Sequence, residues 1–302
     1  MSIGEHIKLT DLIGQDTSRC KAFQVFFGSP RSLRHKDLTT EESNRIKDFV
    51  IENDIQLFSH AAYVFNIAKY SVYKKGIKDE YDEALDMLNN AMLNRAINEL
   101  ENIAKCGGIG SVFHVGKHLI KMKKGDYPVN TRPFENNMLN FIKDVIDNTN
   151  SINSCFILET AAGQGTELLT SIEELGNFYN RFSNKYKKRV KICIDTCHIF
   201  SCGADICHNS TGVISDIEKY IGWGNIILIH MNDSSTGLNS RVDRHQNLNK
   251  GYITGIGKKS DGLRGFAKEC FNRGLPLVLE TPAKTISARS KDVTILEEWC
   301  HD

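Results

Sequence analysis

No stretch of this chain is apolar over enough residues to read as a membrane-spanning helix, and the opening segment MSIGEHIKLTDLIGQD has no apolar signal region. A soluble, non-secreted protein is expected. Charge of one sign is not in excess either: 38 Lys and Arg stand against 37 Asp and Glu, a formal net charge of +1. That balance excludes a global pull toward nucleic acid, so a polyanionic partner needs a local basic patch. Nine cysteines are an odd number and include no C-x-x-C pair, which speaks against a disulfide framework and suits a reducing interior, cytoplasm or nucleus. Cys193, Cys197, Cys202 and Cys207 do cluster in sequence, but a cysteine-rich zinc site there is the weaker reading, because cysteine is among the most buried residue types. Proline is scarce, and two of the five fall in KKGDYPVNTRPFENN (123–137), which reads as one long loop.

What the chain has in quantity is short β-rich apolar runs: 3–7, 22–27, 55–60, 110–116, 155–160, 190–196, 225–233 and 276–281. Helical patterns lie between them. Over 81–105, Leu85, Leu88, Met92, Ala96, Leu100 and Ile103 recur at three-to-four spacing until Gly107 and Gly108 stop the helix. TTEESNRIKDFVIEN (39–53) opens with Thr and Glu in capping-box order. Eight β/α alternations in 302 residues, with no linker or repeat, predict a single (β/α)8 TIM barrel spanning residues 1–302. A doubly wound open sheet is the architectural alternative.

Barrels of this kind carry their chemistry at the C-terminal rim of the strands. The residues ending the runs are His60, His114, Glu159, Asp195, His230 and Glu280. One such residue is ordinarily a satisfied polar group, but six around one small mouth would repel or desolvate one another unless cations joined them. His198 follows Asp195 by one helical turn in DTCH, and SRVDRH places Asp243 and His245 two residues apart, on one side of an extended segment. Nine nitrogen and oxygen donors without thiolate suit Zn²⁺, with Mn²⁺ or Fe²⁺ as competitors, and the number fits three ions. His6 is a candidate neighbour of these ligands.

The stretches HAAYVFNI, FHVGKH, ILETAAGQG, KICIDTCHIFSCGADI, IHMNDSSTGLNSRVDRH and PLVLETP, in this order, resemble the endonuclease IV family of apurinic/apyrimidinic endonucleases. The resemblance covers nearly the whole chain and implies a TIM barrel. It also implies a first zinc on His60 and His114, with Glu159 bridging to a second completed by Asp195, His230 and Glu280. A third would sit on His198, Asp243 and His245, and Mn²⁺ could fill part of the cluster. The implied activity is metal-dependent hydrolysis of the phosphodiester 5′ to an abasic site in duplex DNA, with 3′-end trimming, by a monomer; Glu159 and Glu280 are the carboxylates taken as catalytic. Arg31 and Tyr63 match the positions that enter the duplex, and Arg241 and Arg244 would flank DNA phosphates. The chain departs from the family pattern at Thr160, where Asn is usual, at Val115, where Pro is usual, and in GSPR, which replaces a KNQR-like segment. A divalent-metal sugar isomerase or epimerase and a non-catalytic zinc-stabilised DNA-damage binder are the rival readings.

Overall fold

A computed structural model of the chain describes residues 2–33, 37–70, 80–121, 129–256, 260–282 and 286–301. Eight parallel strands close into a barrel: β1 (Ile3–Lys8), β2 (Ala22–Phe26), β3 (Gln56–His60), β4 (Gly110–His114), β5 (Cys155–Glu159), β6 (Val190–Asp195), β7 (Ile226–His230) and β10 (Leu277–Leu279). Each pairs with its neighbours in sequence order, and β1 closes the ring between β2 and β10. The doubly wound alternative is thereby excluded.

The outer layer is built from α1 (Thr40–Glu52), α2 (Glu80–Lys105), α3 (Arg132–Asn148), α4 (Ile172–Tyr179), α5 (Asn184–Lys187), α6 (Thr196–Ser201), α7 (Ile206–Tyr220), α8 (Gly262–Asn272) and α9 (Ile286–His301). The expected cap of α1 is present: Thr39 Oγ1 accepts from Glu42 N–H while the Glu42 carboxylate accepts from Thr39 N–H. Along α2 the apolar stripe works from Met92 onward, where Met92, Ala96, Leu100 and Ile103 are buried, whereas Met87 and Leu88 are exposed. The expected loop over 123–137 needs correction. Residues 122–128 lie outside the described residues, and 132–137 form the start of α3, with Pro133 in the first turn, where its missing N–H costs no helical bond. Among the described residues no helix is long and apolar enough to cross a membrane.

Alternation along the strands decides what the barrel holds. Ala22, Phe58, Val112, Ile157, Cys193, Leu228 and Val278 form one apolar layer inside it. Side chains two residues further on point the same way, so the next layer toward the C-terminal rim is Gln24, His60, His114, Glu159, Asp195, His230 and Glu280. The oil-filled barrel thus ends in a polar lid made by strand periodicity alone. A short antiparallel ribbon, β8 (Asp233–Ser234) with β9 (His245–Gln246), folds over that rim and pairs Ser234 with His245.

Candidate metal centre

Glu159 is the centre of the constellation. It is fully buried, and its Oε2 lies 3.4 Å from His60 Nε2 and 3.2 Å from His114 Nε2. Its other oxygen is 2.8 Å from His230 Nδ1. His230 Nδ1 in turn is 3.1 Å from Glu280 Oε2 and 3.7 Å from Asp195 Oδ2. On the opposite flank His198 Nε2 is 3.3 Å from Asp243 Oδ1, and His245 Nε2 is 3.5 Å from the same oxygen and 3.4 Å from Asp195 Oδ2. All nine candidate ligands therefore gather in one place, in three overlapping sets. The mouth above them is a cleft of about 350 Å³ lined by Tyr63, Arg244 and Pro282 together with ligand side chains.

Local backbone bonds orient the rings. His60 Nδ1 donates to Ala61 O (2.7 Å), His198 Nδ1 to Thr160 O (2.8 Å) and His245 Nδ1 to Glu280 O (3.3 Å), so each turns Nε2 inward. The Nε2 atoms of His198 and His245 are buried and, among the described residues, make no well-aligned hydrogen bond even though carboxylate oxygens lie 3.3–3.5 Å away. Two buried ring nitrogens facing carboxylates fit a cation between them. The four clustered cysteines do not share a site of their own. Cys202 Sγ donates to Ala161 O, Cys207 lies beside His208, and burial holds the Cys193 and Cys197 thiols up at about 12. Cys193 lies near Glu159 and His230, and Cys197 near Asp243 and His245, so these two thiols border the nitrogen and oxygen donors without forming a cluster of their own.

The chain is similar to known proteins over most of its length. Residues 19–293 match the family described as xylose isomerase-like TIM barrel. The chain is 31% identical over 290 residues to the probable endonuclease 4 of Symbiobacterium thermophilum, covering 94% of each chain. It is 30% identical over 284 residues to the putative endonuclease 4 of Acanthamoeba polyphaga mimivirus, covering 93% of this chain and 84% of that one. The chain belongs to the endonuclease IV family. Two solved structures share its fold: endonuclease IV from Thermus thermophilus (TM-score 0.77, 22% identity, 99% of this chain and 98% of that one) and a D-tagatose 3-epimerase-like protein (TM-score 0.66, 15% identity, 99% and 97%).

Within this endonuclease IV-family chain the positions that depart from the pattern are in use. Thr160 Oγ1 accepts from Asp195 N–H at 2.9 Å while its carbonyl takes the His198 ring proton, so threonine ties the second and third sets together. Val115 is buried behind His114. In GSPR, Pro30 O accepts from Tyr63 N–H at 2.8 Å, which couples the loop carrying exposed Arg31 to the loop carrying Tyr63. Tyr63 is 56% exposed yet packs edge-on against His60 and His114, with ring centroids 5.3 and 5.6 Å away. Arg244 lines the mouth, but Arg241 does not; its side chain lies against Asn239, Cys202 and Gly163. Gly163 has φ +76°, and a Cβ there would come 2.6 Å from Arg241 Cδ, so the approach of these two rim loops requires glycine.

Two supporting residues escaped the sequence reading. Asn232, fully buried, donates Nδ2–H to Asp195 Oδ2 (2.7 Å) and accepts Glu280 N–H on Oδ1 (2.9 Å), fixing two candidate ligands at once. Gln24 bridges His230 and Glu280. A polar residue inside an apolar strand run was the signal available for Gln24; for Asn232 there was only its nearness to His230.

Charge in the centre is matched by protons when no cation is bound. Burial alone would lower the His198 imidazole, but Asp195, Asp243 and Glu159 outweigh it and hold it well above its ordinary value. Burial likewise opposes charge on His230; the adjoining Cys193 is neutral near pH 7, so Glu280 and Glu159 are what raise it. Imidazoles raised in the folded state stabilise it fully below about pH 6.5, and that contribution is lost as pH rises through their folded values. Metal-free protein is therefore expected to melt at lower temperature at pH 9 than at pH 7. Metal uptake needs the lone pairs those protons occupy, so Zn²⁺ binding should release protons and weaken as pH falls through these raised values, beginning above the ordinary imidazole range of about 6.5. Calorimetric titration in buffers of differing ionisation enthalpy reads the release directly; uptake with no proton change would contradict this charge balance.

Proposed function

We propose that this chain is a metal-dependent DNA repair endonuclease that hydrolyses the phosphodiester 5′ to abasic sites in duplex DNA, leaving a 3′-hydroxyl and a 5′-deoxyribose phosphate, with 3′-end trimming as a second activity of the same centre. The observation that carries it is the meeting of nine nitrogen and oxygen donors, in three sets sharing Glu159 and Asp195, under an open cleft with an exposed aromatic ring at its lip. His60, His114 and Glu159 would hold one ion, Glu159, Asp195, His230 and Glu280 a second, and His198, Asp243 and His245 a third, with Zn²⁺ the best match to the donors. Bound ions supply Lewis-acid charge for the phosphate oxygens and a more acidic water.

The remaining work falls to the chain's own groups. Glu159 and Asp195 keep neighbouring sets in register, because each carboxylate faces histidines of two sets. Tyr63 presents an aromatic face at the rim, where a duplex lacking a base has a gap to fill. Arg244 beside the cleft and Arg31 on the coupled loop offer the local positive charge that the net charge of +1 does not. Among the described residues no lysine lines the mouth, so no amine stands ready for Schiff-base elimination. Sugar epimerases share the fold, but a site for a small sugar on one or two ions leaves the His198, Asp243 and His245 set without a task.

The test is the chemistry of the nick. Abasic duplex should be cut to 3′-hydroxyl and 5′-deoxyribose phosphate ends, EDTA should abolish the cut, and borohydride should trap no protein–DNA adduct. A trapped adduct, or isomerisation of sugars without nicking, would overturn the reading. Tyr63→Ala should lose discrimination between abasic and intact duplex by about 5- to 150-fold, since a stacked or wedged ring is worth about 1–3 kcal/mol. Fluorescence anisotropy with the two duplexes measures it, and unchanged discrimination would remove Tyr63 from the contact.

A further inference from the structure

Gln24 is the only polar side chain on β2, and it is completely buried at the level of the candidate ligands. Its Oε1 lies 2.9 Å from His230 Nε2, and its Nε2 lies 2.7 Å from Glu280 Oε1 and 3.0 Å from His6 Nδ1. The chemistry permits one orientation of this amide. A carboxylate oxygen accepts only, so the Gln24 NH₂ must face Glu280; the flipped amide would set two oxygens against each other at 2.7 Å. The Gln24 carbonyl is then left facing His230, and a carbonyl also only accepts. His230 Nε2 must therefore carry a proton in either charge state, so when a cation displaces the other proton it is Nδ1 that offers its lone pair among Glu159, Glu280 and Asp195.

We propose that Gln24 is a positioning residue that locks His230 into the tautomer opposite to that of His60, His198 and His245, so that the second metal set is built on His230 Nδ1. The other three rings give Nδ1–H to backbone carbonyls and present Nε2. Among the described residues no main-chain carbonyl takes the His230 ring proton; a side-chain amide three strands round the barrel, anchored by Glu280, does so. Glu280 thus acts twice, once through Oε2 toward His230 and once through Oε1 by fixing the amide that fixes His230. This inference rests on the metal-centre reading of the site but not on nuclease activity.

The experiment is long-range ¹H–¹⁵N correlation on Zn²⁺-reconstituted protein with ¹⁵N-labelled histidine, the His230 signals being assigned by their absence from His230→Gln. The expected result is a slowly exchanging proton on His230 Nε2, with protons on Nδ1 of His60, His198 and His245. A His230 proton on Nδ1 would overturn the proposal, whether or not any variant folds. Gln24→Met, which keeps the volume and removes the bonds to His230, Glu280 and His6, should weaken binding of one Zn²⁺ equivalent by about 10- to 100-fold, as loss of a ligand's hydrogen-bond partner does, and leave the others in place. Unaltered Zn²⁺ affinity in folded Gln24→Met would also overturn it. Wild type that shows the His230 pattern but fails to nick abasic DNA removes the nuclease reading alone, and nicking by protein with the reversed pattern removes this one alone.

Discussion

Glu159→Gln is expected to reduce abasic-site incision by about 10³-fold or more and to leave the protein short of two metal equivalents. The side chain keeps its size, so the barrel should still close, but a carboxylate that faces His60 and His114 with one oxygen and His230 with the other becomes a neutral amide. One end of that amide is an NH₂ that must point either at an imidazole lone pair or at a cation. The first is a hydrogen bond that withholds the lone pair a metal needs, and the second is repulsive. Losing several kcal/mol of charge stabilisation at the reacting phosphate corresponds to the stated factor. Single-turnover cleavage with parallel elemental analysis checks both halves; activity within tenfold of wild type would mean that Glu159 bridges nothing.

Glu280→Gln should act more selectively. Glu280 lies beyond the end of β10, and its backbone already serves the neighbours: its N–H goes to Asn232 and its carbonyl takes the His245 ring proton. Those bonds survive the substitution, so the third set should stay assembled. The charge beside His230 is lost, and the new amide gains a donor toward Gln24, which offers one there already. Incision is expected to fall by about 10²- to 10³-fold, a loss of about 3–4 kcal/mol, while abasic-duplex affinity changes little because Tyr63, Arg31 and Arg244 are untouched. Anisotropy and single-turnover rates on one preparation separate the two effects. Binding that falls in step with the rate would place Glu280 in DNA recognition instead.

The layer of candidate ligands is legible in the sequence because strand periodicity and barrel geometry act together: a residue that ends a buried apolar run at the C-terminal rim has only the mouth to point into. His60, His114, Glu159, Asp195, His230 and Glu280 were legible for that reason, and Asp243 and His245 through the two-residue period of SRVDRH. Gln24 was not, because it sits inside AFQVFF, where an apolar run reads as core and a single amide looks incidental. Asn232 was hidden by its position past the end of β7, where a turn asparagine is commonplace. The start of α3 was misread because Pro133 and Asn136 are loop formers, yet proline is well placed in a first helical turn. Arg241, expected to flank DNA phosphates, does not line the mouth; it has a φ of +56°, and its exposed side chain lies against Cys202 and Asn239.

The most direct test of the account titrates Zn²⁺ into protein stripped and verified metal-free, reading nicking of an abasic duplex against bound equivalents. Nicking should be absent at zero, should rise with occupancy and should saturate at three, while His245→Ala should bind two equivalents and cut far more slowly. Cleavage by the metal-free protein, or full activity at one equivalent, would contradict a reaction built on three ions around Glu159.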